Sequence, residues 1–297
     1  MSQTDALVQA KAPPATIKAG LLLSMLASKG YPADEHERLA SMLTHGARLG
    51  VRVPAGELQG RHVTRRSVVN LRSAMEHPDV VDVYINNECA LGRLVTLGAK
   101  VPSDWSDTVY VSPLGVVPKA RSPGKWRLIF HLSHGGRFSV NGRIATSDGY
   151  VPYLRAEQVA RVIARAGPEA WLASFDVKDA FRQIPVAPSD YRLLVMRWRE
   201  QYYVDTRVGF GSRTGPANYH VLGAAVEFLL REQGCRVLRL TDDHLFVAAS
   251  RAEGDEWMAG AIALLATIGI PRAPEKDVAP TRAIVFGGFL WDCQKQG

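Results

Sequence analysis

The sequence is poor in cysteine and has no long apolar run. Its three cysteines, Cys89, Cys235 and Cys293, are odd in number and far apart, with no metal ligands at neighbouring spacing. They are typical of reduced thiols in an intracellular protein and argue against a disulfide framework. The apolar run at residues 19–27 is far shorter than the ~20 residues that a membrane span needs. No signal-peptide core opens the chain, so we expect a cytoplasmic or nuclear protein without membrane contact.

Positive charge is in excess over negative charge. Lys and Arg number 36 against 29 Asp and Glu, which gives a formal net charge of +7. This balance favours a polyanionic partner, although many basic proteins bind none. With 297 residues, 46% of them hydrophobic, the chain can bury a core in one large domain or two.

The N-terminal third carries helical patterns but no visible chemistry. Residues 1–20 mix Ala, Pro, Lys and Gln, which predicts a mobile tail. Residues 21–100 form an N-terminal helical extension, because apolar residues recur near helical spacing in residues 33–49. A second helix begins at His77-Pro78 and ends at Gly92.

Two strand-like runs in the middle of the chain predict a basic hairpin. Residues 109–117 and 126–132 are rich in β-branched and aromatic residues, with Lys119 and Arg127 close to the connection. Lys and Arg side chains here could lie against a triphosphate; the alternative is an ordinary exposed hairpin. A tight turn would place Lys119 opposite Leu128, so Lys119 and Arg127 share a face only if the strands have a bulge or a longer loop.

The order of elements after residue 170 predicts an α+β fold. A buried strand ends at Asp176, and a helix from Pro216, a hairpin, a helix over residues 251–268 and a strand over residues 283–291 follow. This order is typical of an antiparallel sheet with helices on one face.

The hairpin of residues 237–247 carries the adjacent carboxylates Asp242 and Asp243. We place its turn at these two residues, since Asp tolerates the left-handed backbone of a tight turn. A solvated turn would explain the pair equally well. Flanking apolar residues favour a buried position, however, where two like charges repel unless a cation neutralises them. Asp176 is the candidate third carboxylate; an alternative helix-capping role suits Asp179 better.

Several ordered motifs resemble those of reverse transcriptases, the RNA-directed DNA polymerases. They are Phe175–Pro185, Phe210–Asn218, Leu240–Asp243, Pro274–Lys276 and Phe286–Leu290. The upstream segments Ser112–Lys119, Trp126–Ile129 and Ser139–Asn141 resemble the fingers of DIRS-type, tyrosine-recombinase retrotransposons. The resemblance implies the fingers and palm of a right-hand polymerase, with fingers at residues 101–169 and the palm at residues 170–297. It also implies that the thumb is absent.

The resemblance assigns roles to particular residues. Asp176, Asp242, Asp243 and the carbonyl of Val177 would hold two Mg²⁺ ions, which Mn²⁺ could replace, while Lys276 would protonate pyrophosphate. Hard oxygen ligands suit Mg²⁺, and two such ions can stabilise the attacking and leaving oxygens of nucleotidyl transfer. The implied partners are an RNA template, a DNA primer and deoxynucleoside triphosphates. The residues implied to contact the nucleotide are Lys119, Arg127, Val177, Phe181, Phe210 and Gly211.

Two other functions remain open beside the favoured polymerase. Leu240 stands where the family normally has Tyr, which leaves open a catalytically degenerate, nucleic-acid-binding remnant of a mobile element. The third hypothesis is an RNA-dependent RNA polymerase. It is disfavoured because the bulky ring of Phe181 would collide with a ribose 2′-hydroxyl.

Overall fold

The computed structural model describes residues 1–12, 16–52, 68–105, 109–119 and 124–294. Within these residues no helix combines the length and the apolar character that a membrane crossing requires. The helices are α1 (Gln3–Lys11), α2 (Ala19–Ser28), α3 (Ala33–His45), α4 (Arg72–Glu76), α5 (Pro78–Ala90), α6 (Ala156–Ala166), α7 (Gly215–Glu232) and α8 (Arg251–Ile268). The strands are β1 (Leu94–Gly98), β2 (Leu114–Pro118), β3 (Trp126–Phe130), β4 (Trp171–Asp176), β5 (Val195–Trp198), β6 (Gln201–Asp205), β7 (Val237–Leu240), β8 (Asp243–Ala248), β9 (Val278–Thr281), β10 (Ala283–Phe286) and β11 (Phe289–Asp292).

The chain forms two compact units, each built from separate segments. Unit 1 contains Met1–Ala15, His45–Tyr150 and Ile184–Ala217, and unit 2 contains Thr16–Thr44, Val151–Gln183 and Asn218–Gly297. These units do not follow the continuous ranges expected from the sequence. The reason is long-range strand pairing: β6, from the expected palm range, pairs with β1 from the expected helical extension.

The start of the chain forms helix α1, in the range 1–20 for which the sequence predicts a mobile tail. Ser2 caps α1 and makes a capping box with Asp5. The Asp5 carboxylate also accepts a hydrogen bond from the buried Trp105 indole at 3.0 Å. Thr4 donates its hydroxyl to Asp104 at 2.5 Å. These contacts provide hydrogen-bond partners for the first turn of α1. The mixed amino-acid composition of this segment does not predict them.

The described residues of unit 1 form two antiparallel sheets. One has three strands in the order β1-β6-β5, and the other is the hairpin β2-β3. Strands β5 and β6 form a hairpin whose two turn residues, Arg199 and Glu200, both have positive φ. In the hairpin β2-β3, Val117 lies opposite Arg127 and the backbone of Lys119 pairs with Lys125.

Unit 2 is built on an antiparallel sheet in the order β7-β8-β4-β9. On one face Leu172, Leu245 and Val247 pack with Val159 and Ile163 of α6. On the other face the ring of Phe246 lies 6.0 Å from that of Trp257 in α8. Helices therefore pack on both faces, and the prediction of helices on one face is wrong. Strands β4 and β8 are apolar on both faces, as strands covered on both faces are.

The C-terminal strand prediction also resolves into a hairpin. Strands β10 and β11 pair with Phe286 opposite Phe289. Gly287 and Gly288 form the two-residue connection, and both have positive φ, as a type I′ turn requires. Phe286 and Ile284 join the core that contains α6.

Candidate functional site

Three carboxylates meet at one end of the unit 2 sheet. Asp176 is the last residue of β4 and lies directly opposite Asp243, the first residue of β8. Residues opposite each other in antiparallel strands project from the same face, so the two carboxylates are neighbours. Asp242 precedes β8 in the turn, and one oxygen from each of the three carboxylates lies within 4.8 Å of the others.

The turn that carries Asp242 lies one residue earlier than the sequence predicts. Leu240 and Asp243 close the hairpin β7-β8, so the two-residue connection is Thr241-Asp242 and not Asp242-Asp243. Only Thr241 has positive φ, at 59°. A turn with positive φ at its first central residue normally has Gly there. The register of β8 against β4 decides this placement, because it makes Asp243 part of the ladder.

The carboxylate cluster carries more negative charge than its surroundings neutralise. Burial and the neighbouring charge of Asp176 raise the pKa of Asp242. Burial, a hydrogen bond with Asp176 and the charges of Asp242 and Asp176 raise the pKa of Asp243 to about 7. A cluster of oxygen ligands that resists its own ionisation fits a divalent cation, which would stabilise the charged form.

Lys276 is the cation that contacts the cluster. It ends the short 3₁₀ turn of Pro274–Lys276, and its Nζ lies 3.0 Å from Oδ1 of the buried Asp176. Partial burial lowers the pKa of Lys276, but the hydrogen bond with Asp176 and the charges of the three carboxylates outweigh burial, so the pKa is raised overall. The ammonium form is therefore retained beside the carboxylates, in line with the position predicted for Lys276.

Val177 and Phe181 extend the cluster along the chain after β4. The backbone N–H of Val177 donates to the Asp242 carbonyl at 3.1 Å, which ties the end of β4 to the turn. The role of its own carbonyl as a metal ligand remains a prediction. Phe181 is partly buried, with its ring 5.7 Å from the ring of the fully buried Tyr219. This contact packs the Phe181 ring against Tyr219 within unit 2.

The other predicted nucleotide-binding residues belong to unit 1. The Arg127 guanidinium lies over the ring of Phe210, 5.5 Å from its centroid, and half of the Phe210 surface is exposed. Such a cation–π contact positions the guanidinium without consuming its hydrogen-bond donors. Val117 lies opposite Arg127, and Lys119 follows Val117 by two residues, so Lys119 and Arg127 lie on the same face of the hairpin. This register differs from that of a tight turn, which would place Lys119 opposite Leu128.

Gly211 lies in a tightly packed loop of unit 1. Its φ is 103°, and a Cβ atom would lie 2.7 Å from the Phe130 carbonyl oxygen. The buried Asn141 side chain donates to the Gly211 carbonyl at 2.7 Å and accepts from the Arg213 N–H at 2.8 Å. Asn141 therefore fixes the segment that follows Phe210, a support function that the sequence pattern did not reveal.

Sequence reasoning also missed two side chains behind the Thr241-Asp242 turn. Arg239 of β7 lies directly opposite His244 of β8, one residue from Leu240 and Asp243 respectively, so both project from the face opposite the carboxylates. Burial, followed by the Arg239 charge, lowers the pKa of His244 to about 3. The neutral His244 lies with Nδ1 3.1 Å from the Asp242 carbonyl. The signal available in the sequence was a charged residue inside an otherwise apolar strand.

The fold is similar to those of solved viral polymerases. A foamy viral protease-reverse transcriptase in complex with double-stranded DNA matches with a TM-score of 0.60 at 15% identity, covering 92% of this chain and 46% of that one. The same type of protein in complex with an RNA/DNA hybrid matches with a TM-score of 0.55 at 16% identity, covering 92% and 35%. The native prototype foamy virus protein gives 0.56 at 16%, covering 96% and 36%. The chain thus spans less than half of these three relatives.

The family comparison is more specific than the structural one. No curated protein matches the sequence. Residues 117–288 match the family model described as reverse transcriptase (RNA-dependent DNA polymerase). This range covers more than half of the chain and contains the three carboxylates, Lys276 and Arg127. The chain belongs to the reverse transcriptase family.

Proposed function

We propose that this protein is an RNA-directed DNA polymerase that adds deoxynucleotides to a primer by two-metal-ion catalysis. The observation that carries the proposal is the carboxylate cluster of Asp176, Asp242 and Asp243, whose oxygens lie within 4.8 Å of one another. Membership in the reverse transcriptase family supports a polymerase role for this cluster. Mg²⁺ is the proposed ion, with Mn²⁺ as a possible substitute, because carboxylate oxygens are the ligands that both prefer.

The residues in and around the cluster have different proposed roles in nucleotidyl transfer. Divalent ions held by the three carboxylates and the Val177 carbonyl would stabilise charge on the attacking and leaving oxygens. Lys276 keeps its proton beside Asp176 and is the proposed donor to the departing pyrophosphate. Phe181 is the proposed barrier to a ribose 2′-hydroxyl, since its ring is held by Tyr219.

Unit 1 supplies the proposed contacts to the triphosphate and the template. Arg127 offers a planar fork for phosphate oxygens, and Lys119 adds a point charge on the same face. Phe210, whose ring lies under the Arg127 guanidinium, and the neighbouring Gly211 complete this proposed contact surface. The proposed partners are an RNA template, a DNA primer and deoxynucleoside triphosphates. Two observations support nucleic-acid partners: the net charge of +7 and the duplexes bound by the structural relatives.

The proposed context is a retrotransposon. The motifs of residues 112–119, 126–129 and 139–141 support a DIRS-type origin over other reverse transcriptases. In this proposal unit 2 holds the catalytic palm and unit 1 holds the fingers.

Leu240 supports a second candidate function, that of a nucleic-acid-binding remnant without catalysis. Leu240 projects from the same face as Asp243 and packs toward the Gly287 turn, where a Cβ atom would lie 3.1 Å from the Leu240 side chain. An aromatic ring, which the family normally has at this position, is therefore missing beside the carboxylates.

Primer extension distinguishes the two candidates. The assay supplies an RNA template, a DNA primer, deoxynucleotides and Mg²⁺ or Mn²⁺, and compares the wild type with Asp242→Asn and with the control Asp255→Asn, which changes an exposed carboxylate of α8. We expect extension by the wild type and the control, and a loss on the order of 10³-fold in Asp242→Asn, because a catalytic metal site contributes several kcal/mol. Template-primer binding without extension by the wild type would instead support the remnant.

A further inference from the structure

The Arg239 side chain is buried directly behind the Thr241-Asp242 turn. Only 5% of it is exposed. Its Nη1 donates to the Thr241 carbonyl at 3.1 Å, its Nε donates to Glu227 at 3.2 Å, and its Nη2 lies 3.1 Å from Nδ1 of His220. Glu227 and His220 both lie on α7, so the guanidinium links that helix to the turn residue that precedes Asp242.

The residue that Arg239 holds has an unfavourable backbone conformation. Thr241 is β-branched and has a φ of 59°, a combination that sterics disfavour by roughly 1–2 kcal/mol in general. Such a conformation persists only where surrounding contacts determine it. The Asp242 carbonyl receives the Val177 N–H and lies near His244 Nδ1. Arg239 supplies the side-chain donor to the Thr241 carbonyl.

Helix α7 has a space in which the guanidinium fits. A Cβ atom on Gly223 would lie 2.8 Å from Nη1, 3.0 Å from Cζ and 3.2 Å from Nε of Arg239. Any larger residue at position 223 would therefore displace the guanidinium. Gly in a helix interior is less favourable than Ala. Its presence at position 223 therefore favours a structural role, which is to leave room for the Arg239 guanidinium.

We propose that Arg239 is a positioning residue for the metal centre: through the Thr241 carbonyl it holds the Thr241-Asp242 turn in the conformation that lets Asp242 and Asp243 bind a divalent cation together with Asp176. This inference rests on the proposed function, because it concerns the same carboxylates. Arg239 itself projects from the opposite face of the hairpin and contacts neither the cation nor the substrate.

The test measures Mn²⁺ affinity of the full chain by electron paramagnetic resonance, with folding monitored by circular dichroism and thermal unfolding. Arg239→Met removes the donors but keeps the length of the side chain. Its expected Mn²⁺ affinity is about 10- to 100-fold weaker, the usual effect of losing an outer contact to a ligand. The sign is diagnostic, because removing a positive charge near a cation site would by electrostatics alone tighten Mn²⁺ binding.

Arg231→Met is the matched control. Arg231 also pairs with Glu227, at 2.6 Å, but it is 56% exposed and makes no bond to Thr241. Its loss removes the same charge and one Glu227 partner while leaving the turn contact in place. Its Mn²⁺ affinity should stay within about twofold of the wild type.

A second pair of variants tests the same idea without touching the arginine. Gly223→Ala should weaken Mn²⁺ binding as Arg239→Met does, because the added methyl group displaces the guanidinium. Gly260→Ala adds the same methyl group to α8, where the nearest atom is a glutamine oxygen at 3.4 Å, and should bind Mn²⁺ like the wild type. This pair decides the matter if Arg239→Met fails to fold.

The possible failures are distinguishable. Wild-type Mn²⁺ affinity in folded Arg239→Met or Gly223→Ala would overturn the positioning role and leave the proposed polymerase intact. Absence of Mn²⁺ binding by the wild type would overturn the metal centre itself, and the positioning role with it.

Discussion

At the scale of single residues, the site combines groups that are individually unfavourable. Asp176 is 4% exposed, and burial raises the pKa values of Asp242 and Asp243. Thr241 has a backbone conformation that glycine would adopt more readily. Surrounding contacts hold these groups in place: Lys276 at Asp176, and Arg239 at Thr241. Such local conflict is expected where function, rather than stability, determines the residue.

Phe181 provides a prediction at this scale. Phe181→Ala should raise ribonucleotide incorporation, measured as kcat/KM, by roughly 10- to 200-fold, the range that steric discrimination in a pocket commonly spans. Phe181→Tyr keeps the ring and should keep the preference for deoxynucleotides. Single-nucleotide incorporation with matched deoxy- and ribonucleotides measures both. Equal discrimination between deoxy- and ribonucleotides by the wild type and Phe181→Ala would contradict this role of Phe181.

At the scale of secondary-structure elements, tight turns set the positions of the functional residues. The register of β4 against β8 places Asp176 opposite Asp243, and the two-residue connection after β7 places Asp242 beside them. In unit 1, Asn141 fixes the loop of Gly211, and the hairpin β2-β3 carries Arg127. Within each unit, backbone hydrogen bonds therefore specify where each element ends and so where these side chains lie.

The Gly211 loop provides a prediction at this scale. Gly211→Ala meets both a positive φ and a clash with the Phe130 carbonyl oxygen, whereas Gly135→Ala meets a φ of 95° with no atom closer than 3.9 Å. The control should lose roughly 1–2 kcal/mol of unfolding free energy from the backbone alone. Gly211→Ala should lose about 1–3 kcal/mol more, from the clash. Chemical denaturation measures both variants, and equal losses would contradict the close approach at Gly211.

At the scale of the whole molecule, positive charge is the property that would attract a nucleic-acid partner. The net charge is +7, and exposed arginines lie in both units, among them Arg127 and Arg251. Nucleic-acid binding through such groups releases counterions from the phosphate backbone, so affinity depends on salt.

Salt dependence is therefore the prediction at this scale. The logarithm of the affinity for an RNA/DNA hybrid should fall linearly with the logarithm of salt concentration, with a slope of about 0.7–0.9 per phosphate contacted. Fluorescence anisotropy between roughly 50 and 200 mM salt, about the range over which such losses become large, measures the slope. Asp242→Asn should leave the slope nearly unchanged, because Asp242 is proposed to bind metal. An affinity that does not depend on salt would argue against binding through phosphate contacts.

The sequence by itself determined the family, the identity of the three carboxylates and most elements. Periodicity located α5, α7 and α8 to within a few residues, because apolar spacing reports the buried face of a helix directly. Ordered motifs singled out Asp176, Asp242, Asp243 and Lys276, which lie together in the structure. These features are local, so short stretches of sequence specify them.

Only the tertiary structure decided which residues meet. It assigned residues 184–217 to unit 1, docked α1 against Trp105, moved the turn to Thr241-Asp242 and placed Arg239 between α7 and that turn. Each outcome depends on pairing between residues distant in sequence or on the register of a strand. A shift of one residue in register reverses every side chain across the sheet, and hydrophobic pattern alone does not fix it.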